Sequence, residues 1–281
     1  MVTKRRSSLA DFKLLERDRV KKGRLIDACG PQTSDAFSLF IYRFDPESAS
    51  NPRLDHIRIP RQKAGAMVLD ALMYIKAHVE TSLAFRRSCR EGVCGSCAMN
   101  INGENKLACI EPLDNLRSVT LYPLPHQPVL KDLVPDLSHA LKQYASIKPW
   151  MQRSSKLSDG SSKNVLKEEL LQSQEDRQKL DGLWECVLCF CCTTACPSYW
   201  WNGDAYLGPA TLLQAARWVS DSRDQKASER LDDVEGPFSL YRCHTILNCT
   251  KTCPKKLNPA KAIQGLKNEL KNKKVRVFSN K

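Results

Sequence analysis

No stretch of this chain approaches the roughly 18 consecutive apolar residues that a membrane span needs, so contact with a bilayer is expected to be peripheral or through a partner. No secretory signal is visible, and the cysteine count of 13 is odd. Both argue for a compartment that keeps thiols reduced and against a disulfide framework. A G-x-G-x-x-G fingerprint for a flavin is missing as well, which puts any flavin chemistry on another chain. Aromatic residues do not punctuate a basic strand; they stand beside cysteines, and Lys and Arg are interleaved with acids through most of the chain. The net charge of +13 therefore does not predict a nucleic-acid partner. It suits an acidic protein surface or an anionic lipid surface. With 281 residues, the chain is long enough for two domains, each with a core.

What the chain has is cysteine in register. Cys186, Cys189, Cys192 and Cys196, followed by Pro197, form the C-x2-C-x2-C-x3-C-P run of bacterial-type ferredoxins, in which the fourth cysteine faces away and ligates a second cluster. A second run is therefore required, and Cys243, Ile246, Cys249, Cys253 and Pro254 keep the same spacing with Ile246 at the second cysteine's place. Exchanging the last cysteine of each run assigns Cys186, Cys189, Cys192 and Cys253 to a 4Fe-4S cluster. Cys196, Cys243 and Cys249 remain, a set of thiolates suited to a 3Fe-4S cluster. The alternative is structural zinc, which favours paired C-x2-C knuckles closing a tetrahedron. Cys191 breaks the register and Cys29 lies far from any run; both read as buried or free thiols.

Upstream, Cys89, Cys94, Cys97 and Cys109 have the plant-type C-x4-C-x2-C…C spacing of a 2Fe-2S cluster, with a zinc ribbon as the alternative. Gly92 and Gly95 allow the loop backbone to approach the sulfurs, where N–H groups stabilise charge.

Around these motifs the chain divides. Residues 1–35 hold basic clusters with scattered acids, including Asp11, Glu16, Asp18 and Asp27, and read as a basic arm or a targeting remnant. Residues 36–130 read as a 2Fe-2S domain: strands over 37–44 and 56–59, a helix over 67–79 with Val68, Leu72, Ile75 and Val79 on one face, strands 98–101 and 106–109 joined at Asn102-Gly103, and a strand 119–122. Residues 131–281 read as mostly helical, with a surface loop over 154–164 and helices reaching about Trp150, running from Val165 to Cys186, over 208–219 and over 259–271. The fold class is α+β, a β-grasp ferredoxin domain followed by a helical two-cluster ferredoxin domain.

Long words then become informative: Phe85-Arg-Arg-Ser-Cys89-Arg-Glu-Gly, Cys94-Gly-Ser-Cys97-Ala-Met-Asn-Ile, Lys131-Asp-Leu-Val-Pro-Asp-Leu and Ser198-Tyr-Trp-Trp-Asn-Gly. On these words the chain resembles the iron–sulfur subunit of succinate dehydrogenase over roughly residues 36–272, with the fumarate reductase subunit as a close cousin. The resemblance implies an oxidoreductase subunit whose succinate site lies on a partner. Electrons from FAD in that flavoprotein would pass 2Fe-2S, 4Fe-4S and 3Fe-4S clusters to ubiquinone at hydrophobic membrane-anchor subunits. It implies a quinone pocket to which Trp201 contributes directly, with Pro197, Ser198, His244 and Ile246 nearby, and a place on the matrix side of the mitochondrial inner membrane. Two rivals stay open: a fumarate reductase subunit running the relay in reverse, and a free-standing ferredoxin-like carrier.

Overall fold

In the computed structural model, which describes residues 20–30, 35–48, 52–114, 116–153 and 169–279, strict alternation builds the first layer. The strands β1 (Lys21–Asp27), β2 (Ala36–Arg43) and β3 (Arg53–Pro60) precede the helix α1 (Val68–His78), and β4 (Ala98–Ile101), β5 (Glu104–Leu107) and β6 (Ser118–Tyr122) follow it. They form one mixed sheet in the order β1-β3-β2-β6-β4-β5. Successive side chains of a strand face opposite sides, so Phe37, Leu39 and Ile41 of β2 and Ile57 and Ile59 of β3 all enter the core, where α1 lays Val68, Leu69, Leu72 and Ile75 on them. The β4–β5 hairpin turns at Asn102 (φ 51°) and Gly103 (φ 87°), the double left-handed conformation that an Asn-Gly pair favours.

The segment read as an arm departs from expectation. β1 pairs in parallel with β3, although most of its side chains are exposed. Its anchor is ionic instead of apolar. The Arg24 backbone N–H donates to Asp55 Oδ1 at 2.8 Å, its guanidinium reaches Asp55 and Glu80, and Arg58 reaches back to Asp27.

The second half begins with a small hairpin, β7 (Val129–Lys131) and β8 (Val134–Pro135), then α2 (Ser138–Ser146). The helix expected to reach Trp150 stops at Ser146. Lys148 takes a left-handed φ of 51° before Pro149, and the residue ahead of a proline is disfavoured in the helical region. Of the helix expected from Val165 to Cys186, residues 165–168 lie outside the described residues, 169–173 are irregular, and α3 (Gln174–Gln178) is the helical part among those described. Ser173 caps it by accepting from the Asp176 N–H at 3.1 Å, and the chain then turns at Gly182 (φ 81°). The expected loop over 154–164 lies outside the described residues. Beyond come α4 (Cys191–Thr194), α5 (Pro197–Asn202), α6 (Gly208–Ser220), α7 (Ala227–Val234), α8 (Asn248–Lys251) and α9 (Pro259–Ser279), the last running past the expected limit at Lys271.

The helix α6 is almost wholly buried between α7 and α9, with Tyr199, Tyr206, Leu212 and Leu213 in a second apolar core. The two halves are tied by polar and apolar contacts. The Asn105 side chain on β5 donates to Cys191 O (3.1 Å) and Thr194 Oγ1 (3.0 Å), and Thr252 Oγ1 donates to Asn105 O (2.8 Å). Phe190, Cys191, Cys192 and Cys249 belong to the same apolar cluster as the sheet core. Both cysteine runs are thus docked on the hairpin that follows the first cysteine loop.

Candidate iron–sulfur centres

The loop from Cys89 to Cys97 is wound so that its N–H groups turn inward. Arg90, Gly92 and Gly95 all have left-handed φ (64°, 72° and 70°). As a result Val93 and Cys94 donate to Cys89 Sγ (3.3 Å each), Gly92 to Cys109 Sγ (3.3 Å), and Cys89 and Ser96 to Cys94 Sγ (3.5 Å each). These donors favour thiolate over thiol: the backbone N–H groups of Glu91, Cys94 and Val93 lower the Cys89 pKa to about 6. Burial pushes Cys97 the other way, up to about 12. The loop thus gathers Cys89, Cys94, Cys97 and Cys109, with oriented dipoles where a charged cluster would need them.

The two later runs share one backbone conformation. Leu188 and Phe190 stand in the left-handed region (φ 53° and 60°) at the same offsets from Cys186 as Thr245 and Leu247 (57° and 69°) from Cys243. Each such residue costs on the order of 1–3 kcal/mol, and strain of this kind gathers at ligand sites. A four-residue helix follows each pair, α4 in one case and α8 in the other, and each run then ends in Cys-Pro. Ile246 therefore occupies the position in its loop that Cys189 occupies in the other.

The last cysteines are exchanged between the runs. A small cavity of about 20 Å³ is lined by Cys186, Cys189, Cys192 and Cys253, among apolar neighbours that include Phe190 and Leu213. A separate small cavity of about 10 Å³ is lined by Cys196, Cys243 and Cys249, together with Ile246 and Tyr206. These donor sets fit clusters better than single ions. Among the described residues no three His, Cys, Asp or Glu side chains are set to hold one metal ion, whereas the thiols are grouped by cavity as ferredoxin-type ligation requires. Burial raises the thiol pKa of Cys186, Cys192, Cys196, Cys249 and Cys253. Cys189 is lowered instead, first by a hydrogen bond from the Cys191 thiol. Cys191, read as a bystander, is thus a neighbour of a candidate ligand, and no regular spacing marks it.

The first loop touches the second. A Cβ at Gly95 would lie 2.9 Å from the Val187 carbonyl oxygen and 3.1 Å from Cys189 Cα. Gly95→Ala, at φ 70°, is expected to destabilise the junction by roughly 1–3 kcal/mol. The measurements are the melting temperature and the iron bound per chain; wild-type values for both would mean that the loops do not need this approach.

Of the residues expected at a quinone pocket, Pro197, Ser198, His244 and Ile246 line the three-cysteine cavity, whereas Trp201 is not part of its lining. Trp201 is 77% exposed and Ile246 49%, His244 is exposed, Pro197 is half-buried and Ser198 is buried. The neighbouring Trp200 is committed elsewhere: its Nε1–H donates to Thr194 O at 2.7 Å and its ring stacks on His126 at 4.4 Å.

Residues 38–142 match the family model of the 2Fe-2S iron-sulfur cluster binding domain, and residues 185–258 match that of the 4Fe-4S dicluster domain. The chain is 59% identical over 228 residues to the succinate dehydrogenase iron-sulfur subunit of Paracoccus denitrificans, covering 81% of this chain and 85% of that protein. This chain belongs to the succinate dehydrogenase iron–sulfur subunit family. A chain of the Mycobacterium smegmatis Sdh1 complex in the apo form is similar in structure, with a TM-score of 0.72, 25% identity, and coverage of 86% of this chain and 98% of that one. Membership bears out the expected family, the α+β fold and the role of an electron-transferring oxidoreductase subunit using 2Fe-2S and 4Fe-4S clusters. No helix among the described residues is long and apolar enough to cross a membrane.

Proposed function

We propose that this chain relays electrons from FAD on a flavoprotein partner to ubiquinone held beside hydrophobic anchor subunits, through a 2Fe-2S, a 4Fe-4S and a 3Fe-4S cluster in that order. The observation that carries this reading is the exchange of Cys196 and Cys253 between two cavities, with Ile246 in the place of a ligand. Cys89, Cys94, Cys97 and Cys109 would hold the first cluster, Cys186, Cys189, Cys192 and Cys253 the second, and Cys196, Cys243 and Cys249 the third. When bound, the clusters supply one-electron carriers. The chain's own residues fix their spacing, exclude water and aim N–H dipoles at sulfur.

At the exit, His244 and Ile246 line the third cavity and are exposed, and Trp201 stands exposed on the helix that begins at its lining residues Pro197 and Ser198, as a surface that meets a quinone and apolar anchor subunits needs to be. The seat we favour is the matrix face of the mitochondrial inner membrane, because the long sequence words match mitochondrial forms closely; the bacterial relative makes the cytoplasmic face of a bacterial membrane the competing outcome.

The test is to purify the native protein gently, ask whether a flavoprotein and hydrophobic subunits come with it, and locate it by fractionation. Faster succinate:quinone than fumarate:quinol turnover supports the reading. The reverse ratio makes the chain a fumarate reductase subunit, and isolation without partners makes it a free carrier. Within the complex, Trp201→Ala is expected to slow quinone reduction about tenfold or more, as when about 1.4 kcal/mol of transition-state stabilisation is lost. Succinate-dependent reduction of an artificial dye that takes electrons upstream should stay near wild type. Equal loss of both activities would mark Trp201 as a packing residue.

A further inference from the structure

Tyr206 sits between α5 and α6, is 0% exposed, and lines the same cavity as Cys196, Cys243 and Cys249. Its hydroxyl has no hydrogen-bond partner among the described residues. Buried hydroxyls nearly always find a partner, and an orphan in a native fold calls for an explanation. The obvious neighbour is already spent. Gln143 donates from Nε2 to the carbonyls of Gly203 (2.8 Å) and Tyr206 (3.1 Å), and its Oε1 accepts from the Tyr199 hydroxyl at 2.9 Å. The Tyr206 N–H donates to Asn202 O at 2.7 Å, the ring packs edge-on against Tyr199 at 6.4 Å, and the side chain is fully buried. The sulfur-bearing side chains that share its cavity are those of Cys196, Cys243 and Cys249.

We infer that Tyr206 is a positioning residue for the exit centre, its O–H donating to the sulfur shell held by Cys196, Cys243 and Cys249 and thereby raising the potential at which that centre accepts an electron. The inference rests on reading those cysteines as the ligands of a 3Fe-4S cluster. The direction follows from charge. A sulfur shell gains negative charge on reduction, a donor aimed at it stabilises the reduced form more than the oxidised one, and hydrogen bonds to sulfur are among the levers that set cluster potentials. Because the donor is fixed before the electron arrives, no reorganisation opposes the step.

The experiment is a redox titration of the assembled complex, following the electron paramagnetic resonance signal of the oxidised three-iron cluster. Tyr206→Phe removes the hydroxyl and keeps the ring, so the signal should persist with a lower midpoint. A roughly tenfold change in the reduction equilibrium is expected, about 59 mV for one electron. Fluorotyrosine placed at position 206, a more acidic and therefore stronger donor, should move the midpoint upward. Wild-type midpoints in both proteins, with the signal intact, overturn the role of Tyr206 and leave the ligand assignment standing. Absence of a three-iron signal from the wild type overturns the ligand assignment, and the role of Tyr206 with it. If Tyr206→Phe fails to assemble, the fluorotyrosine protein decides: an upward shift supports the proposal and an unmoved midpoint defeats it.

Discussion

Replacing Cys253 with alanine is expected to unfold the helical half of the molecule, with loss of the flavoprotein and anchor partners, and not merely to silence one centre. Cys253 ends the second run, yet it lines the cavity of the first. A cluster bound there would close the chain between Cys192 and Cys253 and hold α4, α6 and the start of α9 around one object. The elements nearest the cysteines cannot stand alone: α4 and α8 have four residues each and α5 has six, far below the roughly 12–15 at which isolated helices become even marginal. A thiolate metal centre can return on the order of 10 kcal/mol to folding, comparable with the whole stability of a domain, roughly 5–15 kcal/mol. Loss of one ligand should therefore cost most of the domain's stability. Iron per chain, far-ultraviolet circular dichroism and co-purification of partners measure it. An intact complex with its full complement of iron in Cys253→Ala would show that the exchanged ligation is wrong. Cys191→Ser is the control, since Cys191 touches Cys189 but lies outside the proposed ligand set.

The parts of the molecule that were legible in advance are those specified by local periodicity. β2 alternates without a fault, Asn102-Gly103 marks its own turn, and the cysteine runs carry their geometry in their spacing. β1 was hidden because it has little apolar face to display. It is held by Asp55, which sits at 0% exposure in a neighbouring strand and accepts from Arg24 and Arg53, a partnership visible only after the sheet has formed. From residue 169 on, the expected helix is short for a different reason: an apolar period said where a helix was possible, while the Ser173 cap and the turn at Gly182 bound α3. At the candidate site, the ligands follow from register but their surroundings do not. Tyr206, Asn105 and Cys191 bear no fixed spacing to the cysteines they serve. The closeness of Gly95 to Cys189 depends on the docking of one half against the other. Spacing identifies what grips a cluster, and tertiary packing supplies what tunes it.

The shared register of the two cysteine runs also makes the exit centre testable at a single position. Ile246→Cys is expected to convert the proposed 3Fe-4S site into a 4Fe-4S site, because Ile246 stands where the other loop has its second cysteine, Cys189. The backbone is already in place: Thr245 and Leu247 flank Ile246 with φ of 57° and 69°, as Leu188 and Phe190 flank Cys189 with 53° and 60°. Substitution asks for no rearrangement of the loop, and at 49% exposure the isoleucine leaves no cavity on removal. A cubane corner needs a ligand; an apolar side chain offers none, whereas a thiolate does. Completing the corner changes the cluster's net charge, one of the factors that set reduction potential. The potential should fall, and the downhill step to the quinone should weaken. The air-oxidised wild type is expected to show the paramagnetic signal of a three-iron cluster, and the variant to lose it, since an ordinary oxidised four-iron cluster is silent. Iron per chain should rise by about one atom, the iron that an added thiolate ligand retains at the open corner, and quinone reduction should fall while dye reduction upstream is kept. If the variant keeps the three-iron signal at full intensity, Ile246 does not stand at the open corner, and the grouping of Cys196, Cys243 and Cys249 around that centre fails with it.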